Sequence, residues 1–189
     1  MEAVAPKAYR NGRIARNRII TDLPHVTLIL GGARSGKSRH AEQIIQALPP
    51  PWIYIATGQA FDGEMCERIA EHRRRRGDGW WTIEAPLDLA GALAEVGDRP
   101  VLIDCLTLWL SNLMLDDRSL GTAAAVFEEA LTRRGAPTLL VSNEVGMGIV
   151  PETPLGRRFR DEAGRLNQRI AAKAGRVLFM VAGMPMTVK

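Results

Sequence analysis

Gly31-Gly32-Ala33-Arg34-Ser35-Gly36-Lys37-Ser38 is the stretch that decides the fold of this 189-residue chain. It matches the pattern G-x-x-x-x-G-K-[ST], follows the apolar run Val26–Leu30 and opens a helical pattern over Lys37–Ala47. A buried strand, a glycine-rich loop and a helix in this order are typical of a loop that binds nucleotide phosphates. An ordinary glycine-rich turn with a surface lysine is the alternative, and the complete motif with both flanks disfavours it. The stretch therefore predicts a P-loop nucleotide site in an α/β fold.

The residue types in this loop suit phosphate chemistry. Glycines let backbone N–H groups point inward around phosphate oxygens, and the helix adds its positive N-terminal end. We expect Lys37 to reach the β- and γ-phosphates and the hydroxyl of Ser38 to ligate Mg²⁺. A second magnesium ligand is expected from a carboxylate at the end of a neighbouring strand, and Asp104 follows the apolar run Val101–Ile103. The alternative role of Asp104 is to cap the next helix.

Apolar runs alternate with helical patterns along the rest of the chain. We expect strands over Trp52–Ala56, Val101–Ile103, Thr138–Ser142, Val177–Val181 and Met186–Val188, and a short extended piece over Trp81–Glu84. We expect helices from Asp62 through His72, over Leu87–Val96 after Pro86, from Leu106, over Thr122–Arg134 and from Leu155 to Gly175. The glycine-rich stretch Asn143–Thr153 predicts a loop. This alternation predicts one domain, residues 25–189, with a mainly parallel sheet covered by helices on both faces.

Charge is concentrated in the first residues of the chain. The 189 residues carry 25 basic and 21 acidic side chains, and five of the basic but only two of the acidic ones precede Val26. We expect residues 1–24 to be a basic, poorly ordered arm joined to a nearly neutral domain. With aromatic residues at only 5%, the domain offers little for base stacking, so we expect no nucleic-acid partner.

Composition also bounds the location of the protein. No apolar stretch approaches the 18 residues of a membrane-spanning helix, so none is expected. Cys66 and Cys105 are too few for a disulfide framework, and we expect no signal peptide. The prediction is a cytoplasmic protein.

A histidine followed by four arginines, His72 and Arg73–Arg76, is the second informative pattern. Neutral imidazole can attack an α-phosphate, while guanidinium groups neutralise the phosphates and lower the imidazole's pKa. The alternatives are a solvated charge run and a structural histidine, and by composition His40 is an equal contender. The chain lacks the N-K-x-D motif of guanine-nucleotide switches, so a compact metabolic transferase is favoured over a GTPase or a motor.

Several further segments carry a resemblance to a known family. They are Arg39–Glu42 after the phosphate loop, Tyr54–Thr57, Glu64–Met65, Arg68–His72, Trp81–Glu84, Asn143–Glu152 and Phe159–Arg169. In this order, across about Val26–Lys189, they resemble the bifunctional adenosylcobinamide kinase / adenosylcobinamide-phosphate guanylyltransferase family of cobalamin biosynthesis. The phosphate loop is common to many families, whereas the Asn143–Glu152 block is highly specific to this one.

The resemblance implies two reactions and a set of site residues. ATP or GTP phosphorylates adenosylcobinamide, and then GMP passes from GTP, through a histidine, to adenosylcobinamide phosphate, which gives adenosylcobinamide-GDP. His72 matches the histidine that carries GMP. The positions matching those that hold nucleotide or metal are Gly31 to Ser38, Thr57, Arg73, Arg74, Arg75, Arg76, Glu84 and Asp104. A RecA-like sheet and a homotrimer are implied as well.

Some alternatives stay open at this point. Glu144 and Glu152 of the specific loop either orient the corrinoid hydroxyl, with Glu144 as a general base, or shape a pocket wall or subunit contact. A P-loop kinase without the guanylyl step and an RNA-binding or interaction module are the other two classes of function.

Overall fold

The computed structural model describes residues 23–59, 63, 67, 70, 71, 74 and 76–189. The arm predicted at residues 1–24 lies almost wholly outside the described residues, and so do His72, Arg73 and Arg75. The boundary at residue 25 and the order of the arm therefore stay predictions.

Seven strands and five helices follow one another in the described part of the chain. The strands are β1 Val26–Gly31, β2 Trp52–Ala56, β3 Trp80–Glu84, β4 Val101–Asp104, β5 Thr138–Asn143, β6 Arg176–Val181 and β7 Met184–Thr187. The helices are α1 Lys37–Ile45, α2 Leu89–Glu95, α3 Leu106–Leu115, α4 Leu120–Arg133 and α5 Pro154–Lys173. The described residues between 63 and 76 are helical too, as the pattern after Asp62 predicts.

The strands form a single sheet in the order β3-β2-β4-β5-β1-β6-β7. All neighbouring pairs are parallel except the last, in which β7 returns antiparallel to β6. The strand that leads into the phosphate loop, β1, lies near the centre, and β5 separates it from β4, which carries Asp104. The predicted α/β P-loop fold with a mainly parallel sheet is confirmed.

Both faces of the inner strands β2, β4, β5 and β1 are buried, which explains their continuous apolar runs. Alternate residues point to opposite faces, so Ile103 packs in the core under α2 to α5 while Leu102 packs in the core under α1. The larger core includes the ring pair Trp109 and Phe127, whose centroids lie 5.3 Å apart. In the part of the chain that the structure describes, no helix is long and apolar enough to cross a membrane.

Several boundaries differ from the sequence prediction by one or a few residues. Helix α2 begins at Leu89 rather than directly after Pro86, because Asp88 caps it by accepting a hydrogen bond from the Gly91 N–H at 2.8 Å. The short piece expected near Trp81 is a full edge strand, β3, and β7 begins two residues earlier than predicted. Side-chain capping and strand pairing set these ends, and apolar periodicity reports neither.

Candidate active site

The strands bring most of the predicted site residues to one edge of the sheet. In register, Ala56 on β2 pairs with both Glu84 and Asp104. Beyond the β4–β5 pair, Asn143 at the end of β5 pairs with Gly31 at the end of β1. Because neighbouring strands lie about 4.8 Å apart, the carboxyl ends of β3, β2, β4, β5 and β1 form a row. Ligands of open α/β sheets bind at this end of the strands.

The phosphate loop depends on glycine at its two bends. Gly31 has φ 151°, and a Cβ there would lie 2.7 Å from the carbonyl oxygen of Met180 on β6. Gly36 has φ 94° and is the N-cap of α1. L-residues with a side chain rarely adopt either conformation. The loop can therefore close tightly over the N-terminus of α1 only with these glycines.

Two side chains of the loop point to an anion site. Lys37 is buried, and its Nζ donates a hydrogen bond to the carbonyl oxygen of Gly32 at 2.6 Å, so the ammonium group lies against the loop. The hydroxyl of Ser35 is buried and has no hydrogen-bond partner among the described residues. A buried hydroxyl without a partner is costly, and a phosphate oxygen would satisfy it. The loop therefore fits the nucleotide phosphates that its sequence predicts.

Neighbouring segments hold the loop on both sides. The Glu144 N–H, directly after β5, donates to the carbonyl oxygen of Gly31 at 3.0 Å. The Gly183 N–H, in the turn between β6 and β7, donates to the carbonyl oxygen of Ser35 at 3.1 Å. The family-specific loop after β5 is thus attached to the phosphate loop.

The oxygen donors expected for Mg²⁺ are a hydroxyl in the first turn of α1 and a carboxylate at the end of β4. Ser38 and Asp104 are both half-buried, and Asp104 Oδ2 accepts a hydrogen bond from the Tyr54 hydroxyl at 3.1 Å. Within the described ranges, no cluster of three His, Cys, Asp or Glu side chains forms a metal site by itself. This set fits magnesium, which usually keeps few protein ligands and binds through substrate phosphates.

An aromatic side chain that the sequence did not single out lies beside Asp104. Tyr54 is 5% exposed, and the guanidinium carbon of Arg76 lies 3.5 Å from the centroid of its ring. Burial, reinforced by the negative charge of Asp104, raises the pKa of Tyr54 well above its ordinary value, so its hydroxyl stays protonated and donates. Arg76 is 6% exposed while Arg74 is exposed, so the arginine run is not uniformly solvated.

Thr57 is fully buried and contacts the residue that follows Asp104. Its hydroxyl donates to the Cys105 carbonyl oxygen at 2.7 Å and accepts from the Cys105 N–H at 2.8 Å. Burial raises the pKa of the Cys105 thiol to about 11, and the charge of Asp104 acts in the same direction. The Thr57 side chain therefore connects β2 to β4, and a direct contact between Thr57 and the nucleotide stays a prediction.

The acidic residues of the site differ in their surroundings. Glu84 is exposed at the end of β3, on the far side of β2 from Asp104. Glu144 Oε1 accepts a hydrogen bond from the Gly146 N–H at 2.6 Å, inside its own loop. Arg157 donates to the carbonyl oxygens of Pro151 and Glu152 at 3.0 and 2.6 Å and anchors the far end of this loop. These contacts favour loop shaping over proton transfer for Glu144.

The predicted nucleophile is not among the residues brought together here, because His72 lies outside the described residues. His40 lies on α1, three residues after Lys37, and partial burial lowers its pKa.

A hydrogen-bonded group that the sequence analysis missed links β5 to two helices. Thr107 on α3 accepts from Asn143 Nδ2 at 2.8 Å, and Asn167 on α5 accepts from the Ser142 hydroxyl at 2.7 Å. Polar residues at the end of an apolar run were its only sequence signal.

Comparisons with known proteins cover most of the chain rather than single site residues. The protein-family model for cobinamide kinase / cobinamide phosphate guanyltransferase matches residues 27–188. The bifunctional adenosylcobalamin biosynthesis protein CobP of Pseudomonas aeruginosa is 53% identical over 167 residues, covering 86% of this chain and 96% of the relative. The protein of the same description called CobU, from Salmonella typhimurium, is 40% identical over 179 residues, covering 86% of this chain and 98% of the relative.

Solved structures share the fold at low sequence identity. The flagellar accessory protein FlaH of Methanocaldococcus jannaschii superposes with a TM-score of 0.51 at 13% identity, covering 93% of this chain and 84% of that one. An ATPase of the type III secretion system of pathogenic bacteria gives a TM-score of 0.50 at 10% identity, covering 87% and 57%. At this identity the likeness shows the architecture alone.

Proposed function

This chain belongs to the cobinamide kinase / cobinamide phosphate guanyltransferase family, and on that premise we propose how its residues divide the two reactions. The protein is a bifunctional transferase of cobalamin biosynthesis. It phosphorylates adenosylcobinamide with a nucleoside triphosphate and then transfers GMP from GTP, through a histidine-GMP intermediate, to adenosylcobinamide phosphate. The product of the second reaction is adenosylcobinamide-GDP. One observation carries the assignment of residues: the complete phosphate loop stands in one row with Asp104 at the carboxyl edge of the sheet.

In the kinase reaction, the acceptor hydroxyl oxygen attacks the γ-phosphorus, and the bond from that phosphorus to the bridging oxygen breaks. The nucleoside diphosphate leaves, and the hydroxyl proton is released to solvent. Lys37 and the loop N–H groups stabilise the charge on the phosphate oxygens, which is where such enzymes gain most of their rate. Ser38 and Asp104 would hold Mg²⁺, which supplies further positive charge to the phosphates when bound. The tight bend at Gly31 and the burial of Lys37 support this division of roles.

In the guanylyl reaction, an imidazole nitrogen of His72 attacks the α-phosphorus of GTP and pyrophosphate leaves. A phosphate oxygen of adenosylcobinamide phosphate then attacks the same phosphorus, and the bond between phosphorus and nitrogen breaks. Arg73 to Arg76 neutralise the phosphates and the leaving group. Thr57 and Glu84 belong to the nucleotide side of the site, Thr57 by connecting β2 to β4. The family resemblance of the segment around His72 supports its role.

A GTP labelling experiment tests the histidine assignment. The protein is incubated with GTP labelled at the α-phosphate, and the adduct is mapped by peptide mass spectrometry. We expect an acid-labile, alkali-stable label on His72 of the wild type, because a phosphoramidate has that stability. Label on the wild type and on His40→Asn, but not on His72→Asn, is the expected pattern.

Retained kinase activity in His72→Asn separates the two reactions. A protein that phosphorylates adenosylcobinamide but never retains α-label is a kinase without the guanylyl step. Label on His40 instead of His72 would identify His40, on α1, as the nucleophile. RNA binding that weakens steeply with salt and with removal of residues 1–22 supports the interaction-module alternative.

We also propose that the protein is a cytoplasmic homotrimer. The family resemblance supports the trimer, and the exposed apolar side chains Met184 and Met186 on the edge strand β7 suit a subunit contact. Light scattering of the purified protein gives the mass directly. A monomer at the concentrations used for assay contradicts the trimer but does not affect the assignment of the two reactions.

A further inference from the structure

Tyr54 occupies a position from which one side chain touches both halves of the site. It lies in the middle of β2, paired with Thr82 on β3 and Leu102 on β4, and its ring packs in the core under α1. From there its hydroxyl reaches the end of β4 and donates to Asp104 Oδ2 at 3.1 Å. A carboxylate that accepts a hydrogen bond from a buried phenol has its orientation restricted, because the phenol itself cannot move.

The face of the same ring carries Arg76. The guanidinium carbon lies 3.5 Å from the ring centroid, well inside the distance of a cation–π contact. Arg76 is only 6% exposed, and its Nη1 has no hydrogen-bond partner among the described residues. A buried guanidinium needs compensation for lost hydration, and the aromatic face of Tyr54 supplies part of it. This contact docks a residue four positions after His72 onto the sheet.

The surroundings of the ring make these two contacts specific to Tyr54. Trp80 packs edge-on against the ring, with the two centroids 6.3 Å apart, and Trp52 packs against Trp80 in turn. This packing restricts rotation of the ring away from Asp104. A core tyrosine with only a packing role would need a hydroxyl partner but no cation on its face.

We propose that Tyr54 is a positioning residue for both reactions: its hydroxyl orients Asp104, and its ring docks the His72 segment through Arg76. The proposal rests on the proposed function in two respects, namely that Asp104 is a magnesium ligand and that His72 carries GMP. The two contacts use different parts of the side chain, so different substitutions separate them. Tyr54→Phe removes the hydroxyl and keeps the ring, whereas Tyr54→Leu removes both.

The hydroxyl is tested by metal affinity. Mn²⁺ serves as a spin probe for electron paramagnetic resonance in the presence of a non-hydrolysable GTP analogue, and the Mg²⁺ concentration for half-maximal kinase rate is measured alongside. We expect Tyr54→Phe to weaken Mn²⁺ binding and raise that Mg²⁺ concentration by about tenfold, the loss typical of a hydrogen bond to a charged group. High Mg²⁺ should restore the kinase rate. Trp81→Phe, an exposed aromatic truncation on neighbouring β3, is the control and should match the wild type.

The ring is tested by protection of the docked segment. Trypsin cleaves after an arginine only when the side chain is accessible, so cleavage after Arg76 should be slow in the wild type and in Tyr54→Phe. We expect Tyr54→Leu to speed that cleavage by at least about tenfold, since local opening governs cleavage of a buried site. Incorporation of α-label at His72 should fall further in Tyr54→Leu than in Tyr54→Phe.

Asp104→Asn distinguishes failure of this proposal from failure of the underlying site. If Asp104→Asn weakens Mn²⁺ binding and Tyr54→Phe changes only the melting temperature, Tyr54 is structural and the hydroxyl half of the proposal is overturned. If Asp104→Asn itself leaves Mn²⁺ binding unchanged, the magnesium role of Asp104 fails, and the route from Tyr54 to the metal fails with it. Equal trypsin cleavage after Arg76 in Tyr54→Leu and the wild type overturns the docking half.

Discussion

The phosphate loop and the Asp104 end of the site are built in opposite ways. Along the loop, eight consecutive residues set the geometry through their own backbone conformation, with bends at Gly31 and Gly36. At the other end, Asp104 is held by side chains from elsewhere in the chain: Tyr54 contacts it across 50 residues of sequence, and Thr57 reaches its neighbour Cys105 across 48. The loop takes its geometry mainly from its own backbone, with backbone hydrogen bonds from Glu144 and Gly183 holding it, whereas the Asp104 end depends on distant side chains.

This difference predicts how each end responds to substitution. A change in the loop acts on the phosphates directly or strains the backbone, so its effect depends on the residue type at one position. A change at the Asp104 end acts through a partner, so its effect spreads to residues that are unchanged. Three substitutions test this contrast, from the largest expected effect to the smallest.

Lys37→Ala should have the largest effect, because it removes a positive charge from the site of phosphoryl transfer. We expect both reactions to slow by roughly 10² to 10³-fold, the usual cost of removing one transition-state donor. Initial rates of phosphorylation and of GMP transfer measure this. Arg39→Ala, an exposed cation two residues further along α1, is the control and should keep both rates. A wild-type kinase rate in Lys37→Ala would refute the assignment of the loop.

Gly31→Ala should destabilise the fold, whereas Gly32→Ala should not. A Cβ at Gly31 would lie 2.7 Å from both the Met180 carbonyl oxygen and the Ser35 hydroxyl, but a Cβ at Gly32 meets nothing within 4 Å. With φ 151° at Gly31 as well, we expect the free energy of unfolding to fall by about 2–3 kcal/mol, against less than about 0.5 for Gly32→Ala. Urea denaturation measures both. Equal stability of the two variants would show that the loop tolerates side chains at its bend.

Thr57→Val tests the tertiary end with a change that keeps the volume of the side chain. The substitution leaves the buried N–H and carbonyl of Cys105 without the Thr57 hydroxyl. We expect a loss of about 2 kcal/mol in the free energy of unfolding, within the range for an unsatisfied buried polar group. The Mg²⁺ concentration for half-maximal kinase rate should rise too, because Asp104 precedes Cys105.

Thr82→Val is the matched control, since Thr82 is exposed on neighbouring β3. It should change the free energy of unfolding by less than about 0.5 kcal/mol. If Thr57→Val destabilises the protein but leaves its Mg²⁺ requirement unchanged, Thr57 supports the fold and not the position of Asp104.

The sequence predicted the core strands and the loop well because their signals are local. The run Val26–Leu30, the motif to Ser38 and the helix after it need no distant partner to be recognised. Helix α2 was placed too early because the capping side chain of Asp88 outweighs the signal of Pro86. The sequence does not distinguish the members of the run Arg73–Arg76, yet in the structure Arg74 is exposed and Arg76 is buried on Tyr54. Four identical residues in a row do not reveal which of their side chains face the sheet.

The amino-acid sequence alone determined the nucleotide loop, the alternation of strands and helices, and the family. These properties follow from residue types at fixed short spacings, where steric limits on the backbone leave few alternatives. Only the tertiary structure decided that Tyr54, Thr57, Arg76 and Asp104 form one connected group. That outcome depends on strand order: β4 pairs with β2 and β5 rather than with β3, its predecessor in the chain. Side-chain contacts between such strands follow from the packing of the whole sheet, which no short stretch of sequence encodes.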